Sequence, residues 1–178
     1  MADVQLMIQV AFVCMCLGFL FHLIAFTAPH WRRSYNVTAS NASANISYGI
    51  WRQCLLPRFR LQRGTSDEDR CGPFPLTGYT RATQFFETVG LIAAIASIVL
   101  LLLGVCVATC RDRRILPILS GICSIAAAGC ILLGTVIFGA NDAEEDHLSW
   151  AFALCIVGGI FFGVAGVLII VASVVLKR

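Results

Sequence analysis

Nine cysteines, three histidines and ten carboxylates are the side chains of this 178-residue chain able to ligate a metal, move a proton or form a covalent bond. Cys14-x-Cys16, with His22 further along the same apolar stretch, has the residue types of a metal site. Cysteine, however, packs as a small buried hydrophobe. A lone histidine in an apolar block is better read as a neutral imidazole bonded to a neighbouring helix than as a proton relay. His30 and His147 stand alone, and the carboxylates cluster on links that are expected to be exposed. There is no glycine-rich phosphate loop, no Ser/His/Asp set and no pair of histidines at ligand spacing. The expectation is no enzyme, no catalytic residue, no metal and no cofactor. The chemistry that remains is covalent decoration: a disulfide, glycans and acyl chains.

These residues are set in a chain that is 58% hydrophobic and 13% charged, with mean hydropathy +0.84. Soluble domains are about a quarter charged and about half apolar. The composition excludes a disordered chain and an ordinary cytosolic enzyme, and a net charge of +3 gives no reason to expect nucleic acid. Met7–Ala28, Thr88–Ala108, Ile115–Ala140 and Trp150–Leu176 carry no Asp, Glu, Lys or Arg. Crossing the hydrocarbon takes roughly 20 apolar residues as helix, and backbone pairing in lipid leaves helix as the reading for blocks this long. The first block lacks the basic flank and cleavage pattern of a signal peptide, so it is read as a retained span. The chain is thus one membrane domain of four spans. It has a long link at Pro29–Glu87, short links at Thr109–Arg114 and Asn141–Ser149, and a tail at Lys177–Arg178.

Arg111, Arg113 and Arg114 on the second link, with Lys177 and Arg178, read as cytoplasmic. The long link carries eight arginines, but long loops translocate largely regardless of charge. It also carries three glycosylation sequons, at Asn36, Asn41 and Asn45. Of the nine cysteines only Cys54 and Cys71 lie on it, and one exposed pair suits one disulfide in an oxidising compartment. The long link is therefore placed outside the cell as a cap on the bundle, with both termini cytoplasmic. Ile46, Tyr48 and Ile50 alternate towards Cys54, Arg58–Leu61 alternates again, and Gly64–Asp69 reads as a turn. Two or more antiparallel strands are expected, stapled by Cys54 and Cys71, a closure worth roughly 3 kcal/mol on the chain-entropy account.

At this point Pro29-His30-Trp31-Arg32, Gly49-Ile50-Trp51-Arg52-Gln53-Cys54 and Cys71 resemble the claudin signature. Arg81-Ala82 is similar to the claudin Arg-Ala ahead of the second helix. Arg113 and Arg114 before Gly121 and Ala128-Gly129 look like the third span, and Trp150 before Gly158-Gly159 looks like the fourth. The motif is shared by claudins, peripheral myelin protein, epithelial membrane proteins and channel γ-subunits. The resemblance implies a four-helix bundle capped by an extracellular antiparallel sheet. It further implies Trp51 anchoring that sheet beside the disulfide, and Arg81 tying it to the second helix. The implied function is adhesion or a paracellular barrier at plasma-membrane cell contacts, with itself or related four-span proteins as partners in cis and trans. The alternatives are an auxiliary subunit of a channel or receptor and a myelin-type organiser. Three departures are the sixteen residues between Cys54 and Cys71, the sequons, and an end at Lys177-Arg178 without a PDZ ligand.

Cys106 and Cys110, four apart beside Arg111, are palmitoylation candidates. Gly159-x-x-x-Gly163 with Gly166 is a small-residue stripe, expected to pack a helix of the same chain. The long link between His30 and Thr83 has net charge +5, and the short link at Asn141–Ser149 has −4. The two are either separate solvated faces or loops that meet, within one molecule or between neighbours.

Overall fold

The computed structural model of the protein describes residues 2–39, 42–57, 70–106, 115–141 and 146–175. Helices α1 (Ala2–Thr27), α2 (Gly78–Cys106), α3 (Ile115–Gly139) and α4 (Trp150–Val175) carry the apolar blocks. Each is long and apolar enough to span a bilayer, over Val4–Thr27, Gly78–Val105, Ile115–Gly139 and Trp150–Val174. Strands β1 (Arg32–Ala39), β2 (Ala42–Tyr48), β3 (Arg52–Pro57), β4 (Arg70–Pro73) and β5 (Asp146–Leu148) form one antiparallel sheet in the order β4-β3-β2-β1-β5.

These helices are apolar nearly all round, so hydrophobicity alone cannot say which face turns inward. Small residues decide it. The buried positions of α2 are Thr80, Thr83, Glu87, Gly90, Ala94, Ser97, Leu101 and Gly104, separated by alternating steps of three and four. Ala151, Cys155, Gly158, Phe162, Ala165, Ile169 and Ala172 repeat the pattern on α4. A period of 3.5 winds helices into a left-handed bundle. α3 and α4 bury a second column, Gly121, Ala128 and Thr135 on one and Gly159, Gly166 and Ser173 on the other. Each of these two helices packs between two neighbours, whereas α1 and α2 barely touch.

Backbone proximity sets the α3–α4 crossing. A Cβ on Gly166 would stand 2.8 Å from the Gly121 carbonyl oxygen, and one on Gly159 would stand 3.0 Å from Leu132. Gly163 has room, its nearest neighbour being Ala128 Cβ at 3.7 Å. Hydroxyls stitch the helices together. Ser97 Oγ donates to the Ser120 carbonyl (2.8 Å), Ser120 Oγ to that of Ser97 (2.7 Å), and Ser124 Oγ to that of Phe162 (2.7 Å).

Two elements depart from the sequence expectation. α2 begins at Gly78 rather than at Thr88, so the last part of the long link is helix and Glu87 lies inside the bundle. Thr77 starts it, with the Thr80 hydroxyl accepting from the Thr77 backbone N–H (2.8 Å). The link at Asn141–Ser149 holds a strand, β5, whose three residues show no alternation to betray it. Asn36 lies on β1, where the register with β2 shifts between Ser34 and Val37, and Asn45 lies on β2 opposite Leu56. Cys106 ends α2. Asn41, Cys110, Arg58–Leu61, the Gly64–Asp69 turn, Arg111, Arg113, Arg114 and Lys177-Arg178 lie outside the described residues.

Candidate functional site

The site is the joint between sheet and bundle. α1 ends at Thr27, and Pro29 turns the chain into β1. Trp31 follows directly and is fully buried. Its Nε1–H donates to the Ala25 carbonyl at 2.7 Å, and its ring meets Phe138 and Phe152 edge-on at 5.1 and 6.0 Å. Aromatic edges and faces carry opposite partial charge, so this arrangement gains beyond area alone. The Trp31 backbone closes the joint from both sides. Its N–H donates to Tyr48 O (2.7 Å), and its carbonyl accepts from Ser149 N (2.9 Å).

The β2–β3 turn rests on the end of α1. A Cβ on Gly49 would come within 2.6 Å of the Ala28 oxygen and 2.7 Å of Pro29 Cα, so only glycine permits the approach. Ile50 is fully buried behind it. Trp51, which the resemblance makes an anchor of the sheet, touches the end of α1 from the surface. It is 40% exposed, leans edge-on against Phe26 at 5.3 Å, and lines an open cavity of about 410 Å³ with Pro29, Cys54 and Cys71. Cys54 and Cys71 lie directly opposite each other on β3 and β4 and are disulfide-bonded, with an S–S distance of 2.05 Å.

The tie to α2 expected of Arg81 is made instead by Gln84, whose Nε2 donates to the Ile50 carbonyl at 2.8 Å. Arg81 is exposed, and among the described residues its side chain makes no polar contact. Nothing in the loop-like appearance of residues 78–87 singled out Gln84; only a helix starting at Gly78 turns it towards the sheet.

The long and short links meet within one molecule. β5 pairs with β1, placing Leu148 opposite Arg32, His147 opposite Arg33 and Asp146 opposite Ser34. Arg32 is buried, stacks over Tyr48 and Phe138 at 5.2 and 5.6 Å, and donates from Nη1 to the Asn141 carbonyl (3.3 Å). The acidic Asp142, Glu144 and Glu145 lie outside the described residues.

His30 bridges sheet and α4. Its ring stands 5.8 Å from that of Trp150, and Nδ1 lies 2.7 Å from Ser47 Oγ. The Ser47 hydroxyl donates its one proton to the Pro29 carbonyl, so His30 Nδ1 is the donor of that pair. Partial burial, with the Arg33 charge adding to it, lowers the His30 pKa below its ordinary 6.5. The unfolded chain then takes up the proton first. This contribution to stability is complete above pH 6.5 and is lost as pH falls through 6.5 towards the folded value. The melting temperature of purified protein is expected to be lower at pH 5.5 than at pH 7.5, and His30→Gln should shrink that difference. Equal pH sensitivity in His30→Gln would assign the slope to other groups.

The joint is thus braced by Trp31, Gly49 and Gln84. The pattern of the PMP-22/EMP/MP20/Claudin family matches residues 3–169. Among curated proteins none matches.

Proposed function

We propose, from the premise that the chain belongs to the PMP-22/EMP/MP20/Claudin family, that it is an adhesion and barrier component. In this reading the sheet faces outward and meets neighbouring copies or related four-span proteins across the cell contact and within the membrane. One observation carries it. Segments from both links form a single sheet, and Trp31, Gly49 and Gln84 brace that sheet on three sides of its joint with the bundle. A pre-ordered surface loses little conformational freedom on meeting a partner, so more of the contact energy remains as affinity. In this reading the cap lies outside the plasma membrane and both termini lie in the cytosol, which the disulfide between β3 and β4 supports, since disulfides persist in oxidising compartments.

Expression in non-adherent cells tests this reading. The protein should concentrate at contacts between two expressing cells and not where one partner lacks it. Cys54→Ser should abolish the enrichment, and added salt should weaken it as exposed loop charges are screened. An even surface distribution, with or without the mutation, would overturn it.

A second reading, an auxiliary subunit of a channel or receptor or a myelin-type organiser, is favoured by the sequons. Asn36 and Asn45 lie on the adjacent strands β1 and β2, and glycans there would crowd close packing of caps. Co-purification with a channel whose currents it alters would select that reading.

A further inference from the structure

We propose that His22, Glu87 and Cys155 form a zinc-binding site inside the bundle, with one ligand from each of α1, α2 and α4. All three side chains are fully buried. His22 Nδ1 lies 3.5 Å from Glu87 Oε2, and Cys155 Sγ lies 3.4 Å from that oxygen and 3.6 Å from that nitrogen. Zinc bonds of about 2.0–2.3 Å at tetrahedral angles set ligand atoms roughly 3.3–3.7 Å apart. The three atoms therefore already outline one face of a zinc tetrahedron. Imidazole, thiolate and carboxylate are the ligand types zinc takes, whereas magnesium and calcium ask for oxygen throughout.

Hydrogen bonding alone leaves the cluster incomplete. Glu87 Oε1 has no hydrogen-bond partner among the described residues, and buried polar atoms are rarely left so. A carboxylate at this depth in a membrane is costly without a compensating cation. One Zn²⁺ with one carboxylate and one thiolate sums to zero charge, a balance that suits a low-dielectric interior. The thiol proton, and any proton on the carboxyl, passes to water as the metal enters. The fourth position falls to Glu87 Oε1 or to a water.

The surroundings are shaped for these side chains. A Cβ on Gly134 of α3 would lie 2.6 Å from Glu87 Oε1, and one on Gly158 would lie 3.1 Å from the His22 backbone nitrogen. The position within the fold gives the metal a task. α1 and α2 barely touch, and towards the other end an apolar groove of about 330 Å³ separates Ile8 and Phe12 from Leu101 and Val105. Zinc would pin α1 to α2 just below the cap. The His22 ring lies 6.0 Å from Phe26, whose other neighbour is Trp51 at 5.3 Å, so the pin is in contact with the joint.

Full-length protein purified in nanodiscs provides the test, with zinc and cobalt ions as probes. The folded protein should retain about one zinc per chain after dialysis. Cobalt should give a thiolate-to-metal charge-transfer band that zinc abolishes. Cys155→Ser and Glu87→Gln should each weaken binding at least about tenfold, while Cys123→Ser, a membrane cysteine on α3, should change nothing. A cooperative thermal unfolding transition in the metal-free state reports that each variant has folded. A measurement on the parent alone guards against variants that fail to fold: zinc should raise its melting temperature, and a chelator should lower it again. A folded parent that retains no zinc and shows no band overturns the proposal. So does retention of the band in folded Cys155→Ser, or a melting temperature of the parent that zinc leaves unchanged.

Discussion

Trp31→Ala is expected to release the sheet from the bundle while the four helices remain. The side chain is fully buried among Ala25, Phe138 and Phe152. Truncating a buried tryptophan to alanine costs about 3–5 kcal/mol through lost transfer energy and the cavity left behind. Trp31→Phe keeps an edge-on ring and loses the hydrogen bond to Ala25 O, a smaller cost of about 1–2 kcal/mol. Trp51→Ala removes a ring that is already 40% exposed and should cost less than Trp31→Ala. Thermal unfolding of the purified variants, paired with limited proteolysis of the sheet, should return that order. Equal losses at Trp31 and Trp51 would mean that Trp31 is not the principal anchor.

Gly166→Leu should be equally damaging by the opposite route. The first atom of any side chain there meets Ile125 Cγ1 at 2.7 Å, Gly121 O at 2.8 Å and Ile125 N at 3.1 Å. Two of those three are backbone, which cannot rotate aside. α3 and α4 would have to part, opening every contact along their shared seam. Overpacking costs typically 1–3 kcal/mol for added methylenes, and a leucine against backbone should exceed about 3 kcal/mol. Gly163→Ala is the control. With its nearest neighbour at 3.7 Å it should be neutral or slightly stabilising, since alanine favours helix. Melting temperatures in one detergent separate the two. A tolerated leucine at Gly166 would show that the seam is looser than its distances.

The helices could be read from the sequence because lipid admits few alternatives to a helix. A block without Asp, Glu, Lys or Arg has one structural solution, and the four blocks became α1 to α4. The cysteine pair was legible for a related reason, as two thiols set apart from the apolar blocks. Glu87 misled because its charge was taken as a boundary. In fact it occupies one position of the small-residue seam running from Thr80 through Thr83, Gly90, Ala94 and Ser97. That spacing was present in the sequence and would have extended α2 upstream to Gly78. β5 was not legible, because three residues acquire strand geometry only by pairing with β1. The roles of Trp31 and Trp51 were likewise undetermined by residue type. One follows Pro29 into the bundle, while the other follows a glycine that must lie flat on α1.

The pairing of β1 with β5 also imposes an order on biogenesis. Arg32 bonds across 109 residues to Asn141, and Trp31 accepts from Ser149 at the threshold of α4. With the cap outside, as proposed, the Cys54–Cys71 link, with a separation of 17, can close as soon as its own segment is translocated. β1 must then wait with one edge unpaired until the last span has been inserted. An unpaired strand edge is a template for wrong partners, and long-range pairing comes late in folding. The interval between oxidation of the cap and arrival of α4 is therefore the period in which a nascent chain is open to capture by quality control. Mutations that slow insertion of the fourth span should be read out as retention in the secretory pathway before any defect at the cell surface.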